Sequence, residues 1–263
     1  MNTIKVKNVI LGDGIPKICV PIAARTKKEI IDEALNFKNI DADVAEWRVD
    51  WFDDAFDIEK VKDVLKDLAA ALNDIPLLFT FRTLKEGGEK SIDTETYAVI
   101  NKAAAATGLI DLLDVEAFIG DKVVKDIIKT AHTAGVKVIA SNHDFEKTPP
   151  KEDIIYRLRK MQDLGADIPK IAVMPKCKLD VLELLEATVI MSEKYADRPI
   201  ITISMSKIGT VSRLLGEEFG SALTFGAVNK ASAPGQIDVE DLHSILHLLH
   251  NSIHKSKGEL YAE

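Results

Sequence analysis

From residue 17 to residue 253 the sequence alternates between short apolar runs and helical patterns, and few folds accept so regular an alternation. The β-like runs are Lys17 to Ala23, Val44 to Asp50, Leu77 to Thr83, Leu109 to Glu116, Lys137 to Phe145, Lys170 to Met174, Pro199 to Ser206 and Leu223 to Asn229. Helical periodicity falls between them, over Lys27 to Lys38, Glu59 to Leu72, Thr94 to Thr107, Lys122 to Ala134, Lys151 to Leu164, Lys178 to Tyr195, Val211 to Phe219 and Val239 to Ile253. Strand-then-helix order implies a parallel sheet covered by helices. Eight such units in about 250 residues match an α/β fold of the (β/α)8 TIM-barrel type. The competing arrangement is a doubly wound open sheet, but no Gly-x-Gly-x-x-Gly follows the first strand. Ile4 to Leu11 and Lys17 to Ala23 read as two strands around Gly12-Asp13-Gly14, a leading hairpin expected to close the bottom of the barrel. No linker composition interrupts residues 1–263, so one barrel domain is expected.

Charge narrows the partner. The net charge is −8 and no block of Lys or Arg accumulates to meet phosphates, which argues against nucleic acid and membrane surfaces and favours a small soluble molecule. No apolar run approaches the roughly 18 residues of a membrane span. Cys19 and Cys177 lie far apart, and Met1 to Lys7 lacks the apolar core of a signal peptide, so a reduced, cytoplasmic setting is expected.

One charged residue falls inside an apolar strand. Lys170 to Met174 is bounded by turn signals at Gly165 and Pro175, with Pro169 placed at the strand entrance. Alternation sends Lys170, Ala172 and Met174 to one face and Ile171 and Val173 to the other, so the branched pair packs on helices and the lysine faces inward. Burial there penalises the ammonium and frees the amine that imine chemistry needs. The alternatives are a lysine snorkelling from the strand end or one paired with a carboxylate.

In a barrel the chemistry gathers at the C-terminal ends of strands. Polar residues stand at those ends: Glu46, Arg48 and Asp50; Arg82 with Glu86 just beyond; Asp114 and Glu116; and Ser141 to Asp144. Each can equally be an ion pair closing the mouth. His143 is suited to moving protons near neutral pH, and Glu86 can orient it, although a lone histidine also serves structure. Asn142 and Asp144 supply no second imidazole or thiolate, which argues against a metal there. Later, Arg213 can grip a carboxylate with its planar fork. Ser232 and Gln236, in the small-residue loop Asn229 to Gln236, can donate to the same anion, unless the loop is an ordinary βα connection. Finally His243, His247, His250 and His254 step by four, three and four, one stripe about 60° wide on a helix. Two such residues can hold a metal, but a row beside a core face is more often solvated, and the stripe is not taken as a site.

Taken together these segments resemble the type I 3-dehydroquinase family. The resemblance spans essentially the whole chain and rests on Glu46-Trp47-Arg48, Thr80-Phe81-Arg82 with Glu86, Asp114-Val115-Glu116, Val138 to Asp144, Pro169 to Met174, Ser204 to Gly209 with Ser212-Arg213, and Ala233 to Gln236. One departure is Ile203 ahead of Met205, where many members carry two methionines. The resemblance implies a homodimeric barrel without metal or organic cofactor that dehydrates 3-dehydroquinate in the shikimate pathway. It further implies that Lys170 forms an imine with the C3 ketone and that His143 removes the C2 proton and protonates the departing hydroxyl, supported by Glu86. Glu46, Arg48 and Arg82 then hold substrate hydroxyls, and Arg213, Ser232 and Gln236 the carboxylate. The rival readings are a Schiff-base class I aldolase on the same barrel and an inactive barrel serving as a binding protein.

Overall fold

A computed structural model of the chain describes residues 3–228 and 234–254. It begins with a small antiparallel hairpin of β1 (Ile4–Val6) and β2 (Val9–Leu11). Then come β3 (Lys17–Ile22), α1 (Lys27–Asn36), β4 (Val44–Arg48), α2 (Ile58–Leu72), β5 (Leu77–Thr80), α3 (Thr94–Ala105), β6 (Leu112–Glu116), α4 (Asp121–Thr133), β7 (Lys137–Asp144) and α5 (Lys151–Asp163). The chain continues through β8 (Ile168–Val173), α6 (Lys178–Ile190), β9 (Ile201–Ser204), α7 (Thr210–Leu214), α8 (Gly216–Phe219), β10 (Leu223–Ala227), β11 (Ile237–Asp238) and α9 (Val239–His254).

The main sheet is parallel, in the order β11-β10-β3-β4-β5-β6-β7-β8-β9. Its ends meet: Ile200 and Ser221 form a parallel bridge, Ala222 N–H donates to Ile200 O at 2.8 Å, and the Ser221 hydroxyl accepts from Thr202 N at 3.0 Å. The eight strands β3 to β10 therefore close into the expected barrel.

Alternation along the strands separates two cores. Ala45, Trp47, Phe79, Leu113, Val115, Ile171 and Val173 face the helices. The inward set begins with an apolar floor of Cys19, Val44, Leu78, Leu112, Ile139, Ile168, Ile201 and Leu223, onto which the hairpin places Val6, Val9 and Leu11. One inward position higher, the side chains change character to Glu46, Asp114, Ser141 and Lys170, all buried. The hairpin is tied to this floor by Lys7, whose Nζ donates to Asn73 O at 2.9 Å and Ile75 O at 3.0 Å and pairs with Asp111 at 3.0 Å.

The first three helices begin where short polar side chains supply N-caps. Thr26 and Glu29 form a reciprocal capping box on α1, Asp57 accepts from Glu59 N and Lys60 N on α2, and Asp93 accepts from Thr96 N on α3.

Four expectations are corrected. The hairpin turns at Lys7, which sits at φ 51°, so both its strands lie within residues 4–11 and Lys17–Ile22 is the first barrel strand. Pro169 is the second residue of β8, one place inside the sheet. The strand expected to reach Asp50 ends at Arg48, where residues 49–51 turn as a 3-10 helix. The helix expected over Val211 to Phe219 is interrupted at Leu215.

Candidate active site

Lys170 stands on the inward face of β8, 3% exposed, with Ala172 above it. Its Nζ lies 4.3 Å from the centre of the Phe225 ring and 3.5 Å from Asp114 Oδ2. Asp114 turns its other oxygen away, accepting from Arg82 Nη2 at 2.7 Å and the Ser141 hydroxyl at 2.6 Å. Burial alone acts to raise the Asp114 carboxyl, but the charges of Arg82 and Lys170 outweigh it and hold the group below the usual carboxylate range.

Around this core the two buried arginines are matched by carboxylates. Arg82 Nη1 donates to Glu116 and to Ser141, both at 3.0 Å, and lies 3.6 Å from Glu86. Glu116 also accepts from the backbone and hydroxyl of Thr83, each at 2.8 Å. Arg48 meets Asp50 in a two-pronged pair at 2.8 and 2.7 Å, and Glu46 accepts from the Thr80 hydroxyl at 2.8 Å. Asp50, Asp114 and Glu116 thus serve as struts for the two arginines, and none of the three lines the cavity. The even choice left open for the strand-end residues resolves into ion pairs for these three.

His143 Nδ1 lies 3.0 Å from Glu86 Oε2, and the same oxygen accepts the His143 backbone N–H at 2.9 Å. Asn142 holds the second oxygen of Glu86 through its amide at 3.1 Å, and Arg157 on α5 donates to the Asn142 carbonyl at 3.0 Å. That last bond decides which end of the amide faces Glu86. Burial, followed by the charges of Arg82, Lys170 and Arg48, pushes the His143 imidazole well below its usual value, so the ring is held neutral. Burial and the neighbouring Glu116 push Glu86 up to about 8, against the opposing pull of Arg82 and Asn142. With Nδ1–H directed at Glu86, Nε2 is the basic nitrogen of the ring. Phe145 stacks on the imidazole with centroids 6.5 Å apart. Gly87, at φ 85°, permits that ring to sit there, because a Cβ would fall 2.3 Å from it.

On the other side of the mouth Arg213 is buried on α7. Its Nη2 donates to Pro234 O at 3.1 Å, while Nε and Nη1 have no hydrogen-bond partner among the described residues. Among the described residues no carboxylate offsets its burial, which lowers the guanidinium to about 10. The segment from Pro234 docks on the turn after β9: Ser206 N donates to Pro234 O at 3.1 Å, and Gly235 approaches so closely that a Cβ would lie 2.3 Å from Ser206 O.

Glu46, Arg48, Arg82, Glu86, His143, Lys170, Arg213 and Gln236 all line one open cleft, together with Phe145, Ala172, Ile203, Met205 and Phe225. Of the site residues expected from sequence, Ser232 lies outside the described residues. The apolar lining by Phe145 and Phe225 was missed, as was the Asn142–Arg157 link; the Arg157–Asp153 spacing on α5 was readable, but not the reach of Arg157 to Asn142.

Polar groups collected at one end of a closed parallel barrel are the arrangement of barrel enzymes. The family model described as type I 3-dehydroquinase matches residues 18–253. The 3-dehydroquinate dehydratase of Clostridioides difficile strain 630 is 57% identical over 250 residues, covering 95% of this chain and 98% of that protein. That of Clostridium botulinum strain Eklund 17B is 58% identical with the same coverage. A crystal structure of the type I 3-dehydroquinate dehydratase from Clostridium difficile, with covalent modified comenic acid, superposes with a TM-score of 0.93 at 56% identity, covering 95% of this chain and 99% of that one. The chain belongs to the type I 3-dehydroquinase family and with it to the hydro-lyases.

Proposed function

We propose that the chain dehydrates 3-dehydroquinate to 3-dehydroshikimate through an imine on Lys170. The observation that carries this reading is the placement of a buried lysine amine in one cleft with an imidazole–carboxyl pair and a guanidinium that meets no carboxylate among the described residues. The amine adds to the C3 carbonyl and water leaves, giving an iminium that draws electrons from C2. His143 Nε2 takes the C2 proton, and the electron pair of that bond forms an enamine. A ring held neutral by its surroundings suits this step, and the imidazolium it becomes is for the same reason a strong acid. It returns the proton to the C1 hydroxyl, which departs as water, and hydrolysis of the conjugated iminium frees the lysine and the product.

Glu86 fixes the ring, and Arg213 and Gln236 receive the substrate carboxylate, with Ser232 completing that set. Glu46, Arg48 and Arg82 hold hydroxyls. Support for a nucleophile in this cleft also comes from the Clostridium difficile relative and its covalent modified comenic acid. On the same reading residues 1–263 form one barrel domain that works as a cytoplasmic homodimer, with no metal or organic cofactor taking part in the reaction and no nucleic acid or membrane partner. Among the described residues no helix is long and apolar enough to cross a membrane.

Borohydride added during turnover tests the covalent step. It is expected to fix substrate mass on Lys170, and Lys170→Ala to lose both trapping and dehydration. His143→Ala keeps trapping while dehydration falls by about 10²- to 10⁴-fold. An adduct on Lys176 or Lys207, or undiminished trapping in folded Lys170→Ala, overturns the assignment.

A further inference from the structure

The histidine stripe on α9 does not behave as one row in three dimensions. His243 and His247 pair with each other, their ring centroids 4.3 Å apart, in a cleft shared with Asp41 and Asp43. His250 and His254 turn instead toward Glu217 on α8. His250 Nδ1 lies 2.8 Å from Glu217 Oε1 and 3.1 Å from Oε2, and His254 Nε2 lies 3.1 Å from the same Oε1. Two imidazoles one turn apart, each using a different ring nitrogen, converge on a single carboxylate oxygen.

We propose that Glu217, His250 and His254 form a binding site for a divalent transition metal of the zinc type. A tetrahedral zinc ion with donors at about 2.0–2.1 Å spaces those donors roughly 3.3 Å apart. One ligand atom from each of the three residues already lies within 4.8 Å of the others, so small side-chain rotations suffice to seat the ion. Two imidazoles and a carboxylate suit zinc, nickel or copper better than magnesium or calcium, which prefer all-oxygen sets. Three protein donors leave the fourth position for water.

The site stands apart from the cleft around Lys170. Helices of a barrel run antiparallel to the strands, so the last turn of α9 lies at the end away from the catalytic mouth. Gly216, next to Glu217, packs against Pro16 just ahead of β3, where a Cβ would meet the proline ring at 2.8 Å. A bound ion joins the short α8 to the final turn of α9, and so fastens the end of the last barrel helix.

Isothermal titration of the full-length, untagged, chelator-stripped chain with Zn²⁺ is the test. One ion per chain is expected at this site, and Glu217→Gln, His250→Ala and His254→Ala each weaken it by at least about tenfold. The His243→Ala, His247→Ala double variant keeps it. Co²⁺ gives the intense absorption of a four-coordinate ion in the wild type and not in Glu217→Gln. Because Gln is nearly isosteric with Glu, loss of binding there with an unchanged circular dichroism spectrum cannot come from misfolding. Zn²⁺ raises the melting temperature of the wild type and not that of Glu217→Gln, and dehydration rates stay the same throughout. Absence of zinc binding by the wild type overturns the proposal, as does binding that survives Glu217→Gln and His254→Ala or that disappears with His243 and His247.

Discussion

The two sides of the barrel mouth treat buried positive charge in opposite ways. From β4 to β7 every arginine has a carboxylate: Asp50 for Arg48, and Asp114 and Glu116 for Arg82. Beyond β9, Arg213 is buried as deeply but among the described residues meets only the carbonyl of Pro234. A paired buried ion is part of the scaffold, since its partner has already repaid the loss of hydration. An unpaired one is held charged at a cost that the fold itself does not recover, which is what a pocket prepared for an anion requires.

The largest consequence concerns stability. Arg82→Met leaves Asp114 and Glu116 buried with their main counter-charge gone, and breaking such a pair typically costs about 3–5 kcal/mol. At roughly 2–4 °C per kcal/mol for a domain near this size, the melting temperature should fall by on the order of 10 °C. Arg213→Met removes a charge with no carboxylate partner among the described residues, so its melting temperature should move by no more than a few degrees, and upward is as acceptable as downward. Thermal denaturation of the two variants side by side checks this. Equal losses would mean that Arg213 is as structural as Arg82.

The difference between these arginines was only partly legible in the sequence. The barrel was readable because alternation and length are local and repeat eight times. The inward face of β8 was readable because period-two alternation sends Lys170 away from Ile171 and Val173. The hairpin boundary was not, since Lys7 adopts a left-handed turn that no glycine announces. Residues that line the mouth could be gathered from strand ends, but their pairing could not. Asp114 lies on β6 and Arg82 just beyond β5, and whether two side chains meet depends on strand stagger, which the sequence pattern does not encode. For the same reason Asn142 could be placed only among the polar residues at the strand ends, whereas it holds Glu86 by virtue of Arg157 arriving from α5.

A smaller effect separates charge from geometry at Arg213. Arg213→Lys keeps the positive charge and loses the planar fork, whose Nε and Nη1 are the unpartnered donors. A charge-assisted hydrogen bond is worth about 1.5–3 kcal/mol, so kcat/KM for the natural substrate should fall roughly ten- to a hundredfold. The loss should be much smaller for an analogue lacking the carboxylate. If both substrates suffer alike, Arg213 shapes the loop at Pro234 rather than receiving an anion.

The smallest expected effect is a displaced pH limb, and it concerns the side where charges are matched. His143 is pressed below its ordinary 6.5 by burial and by Arg82, Lys170 and Arg48. A base whose folded pKa is depressed binds fewer protons folded than unfolded between the two values. The native state therefore loses stability as pH falls below 6.5, and the ring itself stays neutral until the lower folded value is reached. In the proposed mechanism proton abstraction needs that neutral ring, so the acid limb of kcat/KM should lie below pH 6.5. Glu86 carries the opposite sign: raised to about 8, it binds its proton more tightly folded than unfolded, and its contribution to stability declines as pH rises from the usual 4.5 toward 8. Glu86→Gln cannot ionise, so its melting temperature relative to wild type should improve between pH 5 and pH 9. The two titrations belong to one pair 3.0 Å apart, and a pH profile reports them jointly. The discriminating measurement is kcat/KM against pH for wild type and Glu86→Gln. An acid limb at or above 6.5 in the wild type would mean that the carboxylates around Arg82 govern His143 more strongly than its burial and the cations do, and the matched side of the mouth would then be holding an imidazolium in place of a base.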